Sequence, residues 1–122
     1  MIHDELVTYE GAKLAKEKGF NEGCLFYYQN GVTESDGCYN HYNMGNKKIC
    51  SAPTQSLLQR WLREEKGVII QVNWMHDCGK YFYTIWTNDK CIVSDYIKLE
   101  KAYDTYEQAL EDALRYALEN LV

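Results

Sequence analysis

The apolar positions along the 122-residue chain change their period at Gly67. Before it, Leu57, Leu58, Trp61 and Leu62 recur at helical spacing and mark one stripe of a core-facing helix. After it, Val68, Ile70, Val72 and Trp74 alternate as a half-buried strand does. The stretch from Ser51 to Trp74 therefore reads as a complete helix-to-strand unit. Pro53 fits its first helical turn, where a missing N–H costs nothing, and Gly67 fits the left-handed position just past the end.

The flanking segments supply the partners such a unit needs. A first helix is predicted from Thr8 to Lys18, with Tyr9, Ala12 and Ala15 inward, Lys13, Lys16 and Glu17 outward, and a stop at Gly19. Cys24 to Gln29 reads as a strand, and Asn30-Gly31 is a strong hairpin signal leading into a second strand from Val32. A two-residue turn sets Tyr28 opposite Thr33 and Tyr27 opposite Glu34, so the second strand is polar and belongs at an edge. Asp36 to Lys48 has no period and the composition of a loop.

Three apolar runs follow the central helix: Val68 to Met75, Tyr81 to Thr87 and Cys91 to Ile97. Short turns at His76 to Lys80 and Asn88 to Lys90 make them an antiparallel meander. With those turns, Val68, Ile70, Val72, Trp74, Phe82, Trp86, Cys91, Val93 and Ile97 share one face. Ile69, Gln71, Asn73, Tyr81, Tyr83, Ile85, Ile92, Ser94 and Tyr96 share the other. A last helix opens at Asp104 or Thr105, with a capping box from Asp104 and Glu107 or from Thr105 and Gln108. Its buried stripe is Tyr106, Leu110, Ala113, Leu114, Ala117 and Leu121. The expected fold is α+β in a single domain, residues 1–122. Its order is helix, hairpin, helix, three-stranded meander, helix, with the helices packed on one face of the sheet.

Composition adds two constraints. Hydrophobic residues at 46% and charged residues at 25% are those of an ordinary soluble globular protein, but eleven tyrosines are many. A net charge of −5 offers no long-range attraction to phosphate backbones or anionic lipid, so neither naked nucleic acid nor a membrane is the expected partner. No apolar run approaches the roughly 20 residues of a membrane span. The opening MIHDELVTYE lacks a basic and apolar leader, so a cytoplasmic protein with reduced cysteines is expected.

The segments SAPTQSLLQRWLRE and DTYEQALEDAL resemble those of small uncharacterised proteins encoded by phages and mobile elements of gut Bacteroidetes. The similarity covers most of the chain and brings no catalytic residue with it. It implies a context: an accessory protein of a mobile element, in the cytoplasm of a bacterial host.

Several constellations bear on chemistry. Cys38-x-x-His41 with Cys24 and Cys50 offers metal-binding atoms, but without the two tight pairs of a structural zinc site; isolated buried thiols are the expectation, and no metal or cofactor is assigned. His76-Asp77-Cys78-Gly79 brings a thiol and a base together at a hairpin tip, where sequence neighbours seldom form a water-excluded site. No phosphate loop, nucleophile elbow or His-Glu-x-x-His occurs, so no catalytic residue is assigned. Arg60 and Arg63, one turn apart, are the candidate contacts for an anion; the alternative is a solvated helix face with Glu64 as partner for Arg60. The leading site is the tyrosine-rich sheet face of Gln71, Asn73, Tyr81, Tyr83 and Tyr96, extended by Tyr39 and Tyr42 of the nearby loop. A helix covering that face, or tyrosines tolerated on a wet sheet, is the competing expectation.

The resulting functional expectation is a non-catalytic binding protein that acts on host machinery or defence. It would occlude a host protein or sequester a small anionic, nucleotide-like ligand, and the open sheet face would mediate self-association or partner contact. Two other classes stay in view: an acidic inhibitor that mimics nucleic acid, and a small enzyme using His41, His76 or a cysteine.

Overall fold

The computed structural model describes residues 4–35, 49–88, 90–94 and 102–122. Among them the chain is α+β, with three helices and two antiparallel three-stranded sheets. It packs as two compact units, Met1–Leu58 and Gln59–Val122.

In the first unit, α1 (Tyr9–Glu17) is capped by Thr8, whose Oγ1 accepts from Gly11 N at 3.2 Å. It closes as a Schellman motif: Phe20 N–H reaches Ala15 O at 3.0 Å, Gly19 N–H reaches Lys16 O at 3.2 Å, and Gly19 takes φ +97°. Phe20 folds back and is buried. Lys16 is half-buried rather than outward, its Nζ donating to Ile49 O at 2.7 Å.

The hairpin of β1 (Phe26–Gln29) and β2 (Val32–Ser35) has the expected register, Tyr28 opposite Thr33 and Tyr27 opposite Glu34. Asn30 and Gly31 both take positive φ, 54° and 80°, as a type I′ turn requires. β2 is fully exposed at the edge. A strand the sequence did not announce, β3 (Ile49–Ala52), pairs with the other side of β1, setting Tyr28 opposite Cys50. Ala12, Tyr28, Cys50 and Ala52 form a core on which Leu6, Tyr9 and Phe26 pack. Tyr28 satisfies its buried hydroxyl on Val7 O at 2.6 Å.

Because β3 runs through Ala52, α2 (Gln55–Lys66) begins later than its composition suggested. Thr54 Oγ1 accepts from Leu57 N at 3.1 Å, so Thr54 is the cap and Pro53 lies before the helix, not in its first turn. Pro53 O instead accepts from Val7 N at 2.9 Å.

The second unit contains the meander of β4 (Val68–Met75), β5 (Lys80–Thr87) and β6 (Lys90–Ser94), against which α3 (Tyr106–Asn120) packs through β4 and β5. Thr105 and Gln108 form the capping box. The buried stripe of α3 is Ala109, Leu110, Ala113, Leu114, Ala117 and Leu118. Tyr106 and Leu121 are off it: Tyr106 is the first residue of the helix and exposed, and Leu121 is the partly exposed C-cap.

The expected division of the sheet faces is overturned. β5 begins at Lys80 rather than Tyr81, so Met75 pairs with Lys80 across a four-residue turn, His76 to Gly79. One residue of register exchanges every β5 side chain between faces. Tyr81, Tyr83 and Ile85 therefore join Trp74, Val72 and Ile70, while Phe82 and Trp86 join Asn73 and Ile69. A bulge at Ile92 then sets Val93 opposite Ile85 and Cys91 opposite Trp86, so Cys91 and Val93 also part company.

Candidate functional site

The end of the meander nearest the His76 to Gly79 turn gathers aromatic rings from three segments. The turn closes with Gly79 N–H on Met75 O at 2.9 Å and Gly79 at φ +68°, a conformation that suits glycine. A Cβ at Gly79 would meet the Trp74 ring at 3.7 Å, an ordinary contact, so it is the positive φ that favours glycine here. Trp74 and Tyr81, direct cross-strand partners, tilt together at 4.9 Å between centroids. The Thr105 cap places Tyr106 at the start of α3, edge-on to Tyr81 at 5.9 Å.

Trp74 is 54% exposed and Tyr106 41%, with Tyr81 half-buried between them. Two contacts brace the cluster from behind. Tyr81 and Tyr103 exchange backbone hydrogen bonds at 2.8 Å each way, and Tyr103 Oη donates to Asp112 Oδ2 at 2.7 Å. Beside it, Lys80 pairs with Asp104, whose carboxylate raises the lysine's affinity for its proton. The result is a fixed apolar surface with hydroxyl tips, the kind of surface aromatic recognition uses.

This cluster gathers only part of the tyrosine-rich face read from the sequence. Tyr83 is 6% exposed and stacked on Tyr103 at 6.1 Å, so it lies in the core. Gln71 and Asn73 are on the opposite face of the sheet from Tyr81 and Tyr83. Gln71 is exposed and its Oε1 accepts from Thr84 Oγ1 at 3.1 Å, while Asn73 is half-buried opposite Phe82. Tyr96, Tyr39 and Tyr42 lie outside the described residues. The sequence period places Trp74 and Tyr106 on core-facing stripes, whereas both are exposed. The available signal was the polar turn directly after Trp74 and the position of Tyr106 directly after a helix cap.

The other chemical candidates come apart. Arg60 Nε bonds Glu64 Oε1 at 3.1 Å on an exposed face, as the alternative reading held, and Arg63 is exposed beside it. His76 Nε2 meets Asp77 Oδ1 at 3.0 Å at a fully solvated turn, and Cys78 is exposed there too. Cys38 and His41 lie outside the described residues. Cys24 and Cys50 are buried, and burial pushes the Cys24 thiol up to about 11 and that of Cys50 upward. Burial favours the neutral thiol at both, the environment of cysteines that pack as small apolar side chains. Among the described residues no cluster of three acidic, histidine or cysteine side chains could hold a metal.

An apolar cavity of about 600 Å³ lies in the first unit, lined chiefly by Leu6, Cys24, Leu25, Phe26, Pro53 and Leu57. Among the described residues no helix is long and apolar enough to cross a membrane. In comparisons with protein-family models, curated proteins and solved structures, nothing matches the chain.

Proposed function

We propose that this is a non-catalytic binding protein of a phage or mobile element, working in the cytoplasm of a bacterial host and acting on host machinery or defence by occluding a protein. The observation that carries this reading is the exposed cluster of Trp74, Tyr81 and Tyr106. Rigid aromatic rings supply contact area at low entropic cost, and among the described residues Trp74 and Tyr106 stay exposed. The mobile-element context rests on the resemblance of SAPTQSLLQRWLRE and DTYEQALEDAL to such proteins. A protein partner is favoured over a small anion because Arg60 is already engaged by Glu64.

Photo-crosslinking inside bacterial cells tests the reading. A benzophenone amino acid at position 106 should trap a host protein, and the same group at Glu119, on the exposed side of α3, should not. Equal trapping from both positions, or none from either, would refute it.

A further inference from the structure

β4 is the outer strand of its sheet, whose order is β4-β5-β6. Tyr81 directs its N–H and C=O to Tyr103, away from β4. Antiparallel partners alternate between bonded and non-bonded pairs, so Trp74, opposite Tyr81, turns its own N–H and C=O outward. Val72 and Ile70 do the same by the same alternation. Ile70 bears this out, its carbonyl accepting from Gln59 Nε2 at 2.9 Å.

Among the described residues, then, Val72 and Trp74 present a row of two N–H and two C=O groups that no strand pairs. Natural edges of this kind are usually guarded by lysine, proline or a bulge. VIIQVNWM, the whole of β4, has no charge and no proline, and its register with β5 is unbroken.

We propose that this edge pairs with the same edge of a second copy of the chain, antiparallel, about a two-fold axis at Asn73. The available groups set the register. With Asn73 opposite the second copy's Asn73, Val72 of each copy faces Trp74 of the other. The outward groups then exchange four hydrogen bonds, and Ile70, already engaged, is left out. Charge permits the pairing although each chain carries −5, because the strand brings no charge to the seam. Trp74 would lie beside a β-branched neighbour, a favourable cross-strand pair, and the aromatic clusters of both copies would share one face of a six-stranded sheet. The inference stands on backbone geometry and goes beyond the proposed function; its failure would leave the reading of the aromatic cluster untouched.

Cysteine crosslinking reads the register directly. Opposed residues in a non-bonded antiparallel pair have Cα atoms about 4.5 Å apart, within reach of a disulfide. Under mild oxidation Asn73→Cys should give a covalent dimer joined 73 to 73, identified by peptide mass spectrometry against the native exposed Cys78 and Cys91. Gln71→Cys, whose counterpart is Met75 of the other copy, should give no 71-to-71 bond. Wild type should sediment at twice its 14.3 kDa at high micromolar concentration.

Val72→Pro removes an outward N–H and spares the ladder to β5, while Asn73→Lys sets like charges face to face. Each should weaken the dimer by at least roughly tenfold while keeping the wild-type circular dichroism, as loss of two hydrogen bonds or a facing charge pair implies. A monomeric wild type, equal crosslinking at 71 and 73, or a dimer that neither folded variant weakens would overturn the proposal.

Discussion

Replacing Tyr83 with alanine separates the observed sheet register from the one its sequence pattern suggested. Tyr83 is 6% exposed and stacks on Tyr103 at 6.1 Å with an interplanar angle of 27°. Truncating a buried aromatic costs about 3–5 kcal/mol, of which the stacked pair accounts for about 0.5–1.5 beyond area alone. That is a large part of the roughly 5–15 kcal/mol that holds a typical domain. Gln71→Ala, at an exposed position on the other face, should stay within about 0.5 kcal/mol of wild type. Tyr81→Ala should fall between the two, since its ring is half-buried between Trp74 and Tyr106. Urea titrations followed by circular dichroism give the three differences from their midpoints. If Tyr83→Ala and Gln71→Ala were equally stable, Tyr83 would not lie in the core and the pairing of Met75 with Lys80 would be wrong.

Trp61→Ala should cost about 3–5 kcal/mol in the same assay, because Trp61 is 7% exposed, whereas Arg63→Ala on the exposed side should be near neutral. Thr105→Ala removes the side-chain half of the α3 capping box, leaving the backbone N–H that bonds Gln108 Oε1, and should cost about 1 kcal/mol, read as a lower melting temperature. The Cys24 thiol, raised from 9.0 to about 11, stays protonated in the folded chain where the unfolded chain has lost that proton. The part of stability linked to that proton is therefore complete below pH 9 and declines between pH 9 and about 11, so the difference between wild type and Cys24→Ala should shrink across that window and level off above it. In the native protein at pH 8, a thiol reagent should modify Cys78 and Cys91 well before Cys24 or Cys50.

The elements that sequence made legible are those with a local cause. Thr8, Gly19 and Phe20 mark both ends of α1 through a cap and a Schellman motif, and each works within a few residues. Asn30-Gly31 fixes the first hairpin because two adjacent positive φ values permit only one kind of turn. Features that depend on a distant partner were not legible. β3 is four residues, Ile-Cys-Ser-Ala, too short for a period, and it is a strand because β1 offers it an edge.

The candidate site was half legible for a related reason. Tyrosine enrichment near the meander pointed to Tyr81, but its face depended on whether Lys80 belongs to the turn or the strand. Composition leaves that open, since Lys is tolerated in either. The structure closes the strand there through the Met75 to Gly79 hydrogen bond, and Tyr83 then joins the face of Trp74, where Tyr83 is buried and Trp74, near the turn, is exposed. Tyr106 joins the cluster only because the chain returns at Tyr103 to bond Tyr81 before α3 begins.

The most direct test of the aromatic cluster as a recognition surface is quantitative capture from a bacterial host lysate. The baits are the immobilised wild type, a Trp74→Ser, Tyr106→Ser double variant and an Arg60→Ala, Arg63→Ala double variant. All three should fold, because the four side chains are exposed. The account predicts a host protein enriched by wild type and by the arginine variant and lost from the aromatic variant. Equal capture by the aromatic variant, or loss with the arginine variant alone, would contradict it.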